Sequence, residues 1–190
     1  MPTVVAVKKN GVVCIGADSL NVEKGRKYTA KDVLNLERVV KIDKGLYMGA
    51  VDHPAWPLIL RNYFKHSKRT HNFRTTDAIF EELLHLHPLL KEKYFTYPEP
   101  DEGDPFECSQ FEALIINQSG LFKTSWLRAV QEYSRFCAVG SGSAYALGAI
   151  EAIYEKGKSA EEIARTGLKI ASEYDSDTGP PGEFFTVSLK

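Results

Sequence analysis

The chain has 190 residues, 43% of them hydrophobic and 26% charged, with a formal net charge of −1. A chain of this length is expected to bury roughly 70% of its unfolded surface in one domain, which excludes a disordered polypeptide. Near-neutral charge speaks against nucleic acid or an anionic membrane surface as partner, and no apolar run approaches the roughly 18 residues of a membrane-spanning helix.

In chain order, residues 3–9 and 12–18 are two β-rich runs joined by Asn10-Gly11, a strong hairpin turn signal. Residues 36–42 and 46–51 read as a second hairpin around Asp43-Lys44-Gly45, and the polar stretch from Ser19 to Asn35 between them has no regular pattern. Residues 54–68 and 76–91 carry apolar side chains at helical spacing: Leu58, Leu60, Tyr63 and Phe64 in the first, Ile79, Phe80, Leu83 and Leu84 in the second. Thr75-Thr76-Asp77 supplies N-cap chemistry for the second helix. An acidic loop follows at about 97–109, with Glu99, Asp101, Glu102, Asp104 and Glu107. Strands are expected at 110–116, 121–126 and 133–139, then helices at 143–156 and 159–173, the latter opened by the capping box Ser159-x-x-Glu162. A strand over 183–189 ends the order. Segregated runs of this kind predict a single α+β domain over residues 1–190 rather than alternating βαβ units. Cys14, Cys108 and Cys137 are odd in number and widely spaced, so they read as reduced packing residues of a cytoplasmic protein; no signal peptide precedes Thr3.

The most informative stretch is Phe136 to Ile150, where an apolar run ends in Gly140-Ser141-Gly142-Ser143 and a small-residue helical pattern begins at once. A strand, a glycine turn and a helix N-terminus place the Ser141 hydroxyl beside unpaired amide donors. The plain alternative is that Ser141 only caps the helix. Asp18, at the end of a strand, is equally a turn former. Asp175 and Asp177 follow a helix C-terminus, where the dipole disfavours carboxylates, so Asp175 is expected to have a specific partner. Thr178-Gly179 also fits turn chemistry before Pro180-Pro181. His85 and His87 are two apart on a helical pattern and point to different faces, which argues against a metal site; packing near Pro88 accounts for them. No metal or organic cofactor is expected.

Taken in order, the opening strand, Asn-Gly turn and second strand ending in Gly-Ala-Asp18, then Gly49, the Val-Gly-Ser141-Gly turn and the Tyr174-to-Gly179 segment resemble the β subunits of proteasomes and the bacterial ATP-dependent heat-shock protease of the same fold. The segments Leu86 to Lys91, Asp104 to Gln110 and Glu132 to Phe136 resemble the betaproteobacteria proteasome homologue branch most. The resemblance implies a four-layer αββα sandwich of the N-terminal-nucleophile hydrolase type. It also implies copies assembled as a double ring around an inner chamber, a polypeptide substrate and an ATP-dependent unfoldase as potential partner. The acidic loop is then either an inner pore loop or a solvated surface loop. In the family the first residue is a threonine whose hydroxyl attacks the substrate carbonyl while its α-amine moves the proton. Carried over, Asp18 matches the orienting aspartate, Gly49 the oxyanion glycine, and Ser141, Asp175 and Thr178 the residues around the amine.

Two positions depart from that pattern. Counted back through the hairpin, the nucleophile position falls on Pro2, which has no hydroxyl, and the lysine position falls on Arg38, which cannot share a proton as lysine does. Thr3 is the alternative nucleophile, but a slip of one residue on a strand aims its hydroxyl to the opposite face. Its use requires a cut between Pro2 and Thr3 with a compensating bulge. A threonine-type endopeptidase and a catalytically silent ring are thus both open. If the motif series is coincidental, a plain α+β ligand-binding domain is the third reading.

Overall fold

Asn10 and Gly11 both adopt positive φ, 50° and 73°, which is the backbone a two-residue hairpin needs to match the strand twist. They join β1 (Thr3–Lys9) to β2 (Val12–Asp18). The computed structural model describes residues 1–97, 103, 105–180 and 182–190. Four of the five acidic residues of the expected loop, Glu99, Asp101, Glu102 and Asp104, lie outside the described residues, as does Pro181. The remaining elements are β3 (Asn21–Glu23), β4 (Arg26–Tyr28), β5 (Val39–Asp43), β6 (Leu46–Ala50), α1 (Trp56–His66), α2 (Thr76–Glu92), β7 (Ala113–Ile116), β8 (Leu121–Thr124), β9 (Val130–Tyr133), β10 (Phe136–Gly140), α3 (Ser143–Ile153), α4 (Ala160–Tyr174) and β11 (Gly182–Ser188).

One sheet has the order β10-β1-β2-β11, the other β5-β6-β7-β8-β9, and every neighbouring pair is antiparallel. Alternation along the strands then sorts the side chains into layers. In β1, Val4 and Ala6 face the second sheet and join Ile15, Leu114, Ile116 and Val139 in a core between the sheets. Val5 and Val7 face the other way, against Ala146 and Ile150 of α3 and Ile163 and Leu168 of α4. The second sheet repeats the pattern: Ala113 and Ile115 meet Leu60 of α1 and Ile79, Leu83 and Leu86 of α2. Helices, sheet, sheet, helices is the expected αββα sandwich.

Helix ends follow the capping chemistry. Thr75 accepts from Ala78 N at 3.2 Å, and Ser159 and Glu162 complete the capping box of α4. The expected strand over 133–139 is two strands: β9 is the edge of one sheet and β10 the edge of the other. Ser134 and Arg135 carry the chain across between sheets, a step that apolar patterning cannot register. The polar stretch after Asp18 contains the short β3–β4 hairpin, turned by Lys24 and Gly25 at φ 49° and 78°. Among the described residues no helix is long and apolar enough to cross a membrane.

Candidate active site

The pairing Thr3↔Gly140 places the beginning of β1 beside the glycine turn that precedes α3. Gly140 has φ 97°, and a Cβ there would lie 1.8 Å from the Pro2 carbonyl oxygen, so only glycine admits this approach. Period-2 alternation puts buried Pro2 on the same side of the strand as Val4, toward the second sheet, and Thr3 on the side of α3 and α4.

Thr3 is fully buried. Its Oγ1 accepts from the Gly142 amide at 2.9 Å and lies 2.6 Å from Thr178 Oγ1. Thr178 Oγ1 donates to Asp175 Oδ2 at 2.5 Å, so the Thr3 hydroxyl must be the donor to Thr178. The run Gly142 N–H, Thr3 O–H, Thr178 O–H, Asp175 carboxylate is therefore a one-way chain of donors. Ser141 Oγ also reaches Asp175 Oδ2, at 2.7 Å, and is within reach of the Met1 carbonyl; its one proton serves one of them at a time. Ser141 does not cap α3, whose N-cap is Gly142 with no side-chain bond. Asp175 is itself the C-cap residue of α4, and Ser141 and Thr178 are the partners expected for it.

Asp18 closes the other side. Its Oδ1 accepts from Thr3 N at 2.7 Å, and its Oδ2 from Leu20 N at 3.0 Å and Gly179 N at 3.1 Å. The carboxyl is 1% exposed, and burial pushes its pKa up to about 6 against the opposing pull of the three amides and of Arg38. Arg38 is 3% exposed; its Nη2 donates to Leu20 O at 3.3 Å, while Nε has no partner among the described residues. Burial lowers the Arg38 pKa, and Asp18 and Glu183 oppose that shift. Glu183 Oε1 fixes the backbone here by accepting from Arg38 N at 2.6 Å and Val39 N at 2.8 Å. Gly49, in β6, faces Val4: a Cβ would lie 2.7 Å from Val4 Cγ1. Its neighbours there are Val4 and Ile15, not Asp175.

The structure thus gathers Thr3, Asp18, Ser141, Asp175 and Thr178 around the start of β1, with Arg38 behind Asp18 and Gly49 across the inter-sheet core. Two features are visible only in the fold. The Gly140 close approach to Pro2 is a backbone feature, and the pairing of Asp177 with the Met1 ammonium at 2.7 Å joins residues 176 apart in the chain. Chemically the arrangement orients protons well. The Thr3 nitrogen, as a peptide amide, is committed to Asp18 Oδ1.

The protein-family model described as Proteasome subunit matches residues 2–187. Among solved structures, the chain is similar to Thiobacillus denitrificans BPH, with a TM-score of 0.93 and 35% identity over 99% of this chain and 98% of that one. It is similar to the same protein in complex with epoxomicin, with a TM-score of 0.92 and 34% identity over 99% of each chain. Eukaryotic HslV from Trypanosoma brucei shares the fold, at a TM-score of 0.68 and 16% identity over 98% of this chain and 99% of that one. A search of curated protein sequences found no match.

Proposed function

The chain belongs to the proteasome subunit family, and from that premise we propose that it builds a self-compartmentalising, homo-oligomeric double ring whose peptidase-type pocket is silent in threonine chemistry. What supports the reading is that the position of the attacking residue, counted back from Asp18 through the hairpin, falls on Pro2, while the neighbouring hydroxyl of Thr3 is engaged on the helix side by the Gly142 amide and Thr178. Acyl transfer needs a hydroxyl to attack the carbonyl and an adjacent base to take its proton; a proline at this position supplies no hydroxyl. The pocket residues then act as a scaffold. Asp175, Ser141 and Thr178 hold the turn before α3 to the end of α4, and Asp18 holds the start of β1 to Leu20 and Gly179. The ring encloses or binds polypeptide, handed on where an ATP-dependent unfoldase docks, in a cytoplasmic setting.

A second reading keeps the endopeptidase, with Thr3 as nucleophile. What favours it is that the Thr3 hydroxyl already has an amide donor in Gly142 and an acceptor in Thr178. It requires removal of Met1 and Pro2 and a shift in the register of β1.

Intact mass and epoxomicin labelling separate the two. Epoxyketone addition consumes both a hydroxyl and a free α-amine, so a chain beginning at Met1 or Pro2 is expected to form no adduct. A chain beginning at Thr3 that gains the mass of the inhibitor overturns the silent reading. Pro2→Thr, with Met1 removed, is expected to gain both the adduct and hydrolysis of a fluorogenic peptide.

A further inference from the structure

His87 lies on α2 immediately before Pro88, and its neighbours belong to no part of the site above. Its Nδ1 is 3.1 Å from Ser109 Oγ and 3.4 Å from Arg128 Nη1, and its Nε2 is 3.2 Å from Glu107 Oε2. Arg128, 8% exposed and held at φ 65°, sits in the turn between β8 and β9. Its Nη1 also donates to the Glu107 carbonyl at 2.7 Å and to Ser109 Oγ at 3.3 Å. Lys91, one helical turn beyond His87, reaches Glu107 Oε1 at 2.6 Å. The Ser109 amide donates to the Trp126 carbonyl at 2.7 Å. Residues 107–109 are therefore strapped to α2 on one side and to the β8–β9 turn on the other.

Ser109, His87 and Glu107 follow the order nucleophile, base, carboxylate, but they are not a hydrolytic site. Ser109 is 3% exposed and its oxygen already receives Arg128. The informative member is the imidazole. A carboxylate only accepts, so Nε2 carries the hydrogen and, in the neutral ring, Nδ1 keeps its lone pair facing the Arg128 guanidinium. These contacts fit one neutral tautomer alone. The charged groups that act on the ring are Glu107, Arg128 and Lys91, and Glu107, 49% exposed, is shared with Lys91. A second proton on Nδ1 would set an N–H against the Arg128 N–H.

We propose that His87 is a proton-operated latch: neutral, it holds residues 107–109 between α2 and the β8–β9 turn; protonated, it drives Arg128 off and releases them. Burial lowers the His87 pKa in the latched state, with Arg128 and Lys91 adding to that direction and Glu107 opposing it. For a depressed histidine the latched state is fully favoured above the unperturbed value of about 6.5 and loses that advantage as pH falls toward the lower folded value. One proton changes the opening equilibrium by at most about tenfold per pH unit.

Hydrogen–deuterium exchange of the full chain, read on peptides covering residues 106–110 and corrected for the intrinsic pH dependence, tests this. Between about pH 7.5 and about pH 5.5, protection at the Ser109 amide is expected to fall by up to about tenfold in the wild type. It is expected to stay constant in His87→Gln, whose amide offers a donor and an acceptor without titrating. An equal pH response in both proteins, or a flat profile in the wild type, overturns the latch. If His87→Gln fails to fold, the wild-type profile decides alone: one-proton opening with a midpoint below about 6.5 supports the proposal, and pH-independent protection refutes it.

Discussion

The Asp18 carboxylate accepts amide N–H groups from nearby Leu20 and from Thr3 and Gly179, which the fold brings to it, and it does so at 1% exposure. Burial wins over those bonds, so its pKa rises to about 6. A carboxyl raised in the folded state stabilises fully below its unfolded value of about 4, and the contribution is lost as pH rises through about 6. The stability of the wild type relative to Asp18→Asn, from denaturant unfolding, is therefore expected to fall across that window, by at most about 1.4 kcal/mol per pH unit; a difference that grows with pH contradicts the burial account. Arg38 yields a second prediction. A buried guanidinium stays charged where a lysine can release its proton, so in the Pro2→Thr background Arg38→Lys is expected to raise kcat/KM for a fluorogenic peptide by at least about tenfold. An unchanged rate would remove Arg38 from the account of silence.

Between the two sheets, Gly49 of β6 and Val4 of β1 are matched in size: a Cβ on the glycine would come within 2.7 Å of the valine Cγ1. Gly49→Ala is expected to cost about 1–3 kcal/mol through overpacking, and Val4→Ala in the same chain should return part of that. Additive losses in a double-mutant cycle would mean that the sheets adjust freely at this point. At α4, Ser159→Ala removes one half of the capping box and is expected to lower stability by about 1 kcal/mol, measurable as a reduced thermal midpoint. The same elements show where sequence reading succeeds. Period-2 alternation in residues 3–9 set the Thr3 hydroxyl on the helix side, where Gly142 and Thr178 meet it, and turn and cap residues located the first hairpin, α2 and α4. It fails where the signal is geometric. Ser134 and Arg135 move the chain from one sheet to another inside a single apolar-looking stretch, and Lys24-Gly25 close a hairpin too short to show periodicity. Asp175 and Asp177 were both legible as carboxylates set against a helix dipole, but their partners, Ser141 and Thr178 for the first and the Met1 ammonium for the second, are set by the fold. The glycine turn announced amide donors at the start of α3, but not that Thr3 Oγ1 accepts from the Gly142 amide.

For the whole molecule, the proposed double ring makes a prediction about mass. Light scattering of the purified protein is expected to give a mass many times the 21.3 kDa of one chain; a monomer at micromolar concentration would count against the chamber. The strand order β10-β1-β2-β11 has a bearing on how such a chain comes into being. The first hairpin leaves the ribosome with both of its flanks bare. One flank is completed only when residues 136–140 arrive, the other only by residues 182–188. Closure of that sheet thus waits on loops spanning most of the polypeptide, which slows folding and leaves two sticky strand edges exposed meanwhile. Shortening the C-terminus into residues 182–188 would make that nascent vulnerability permanent, and aggregation of such a truncated chain is the outcome to expect.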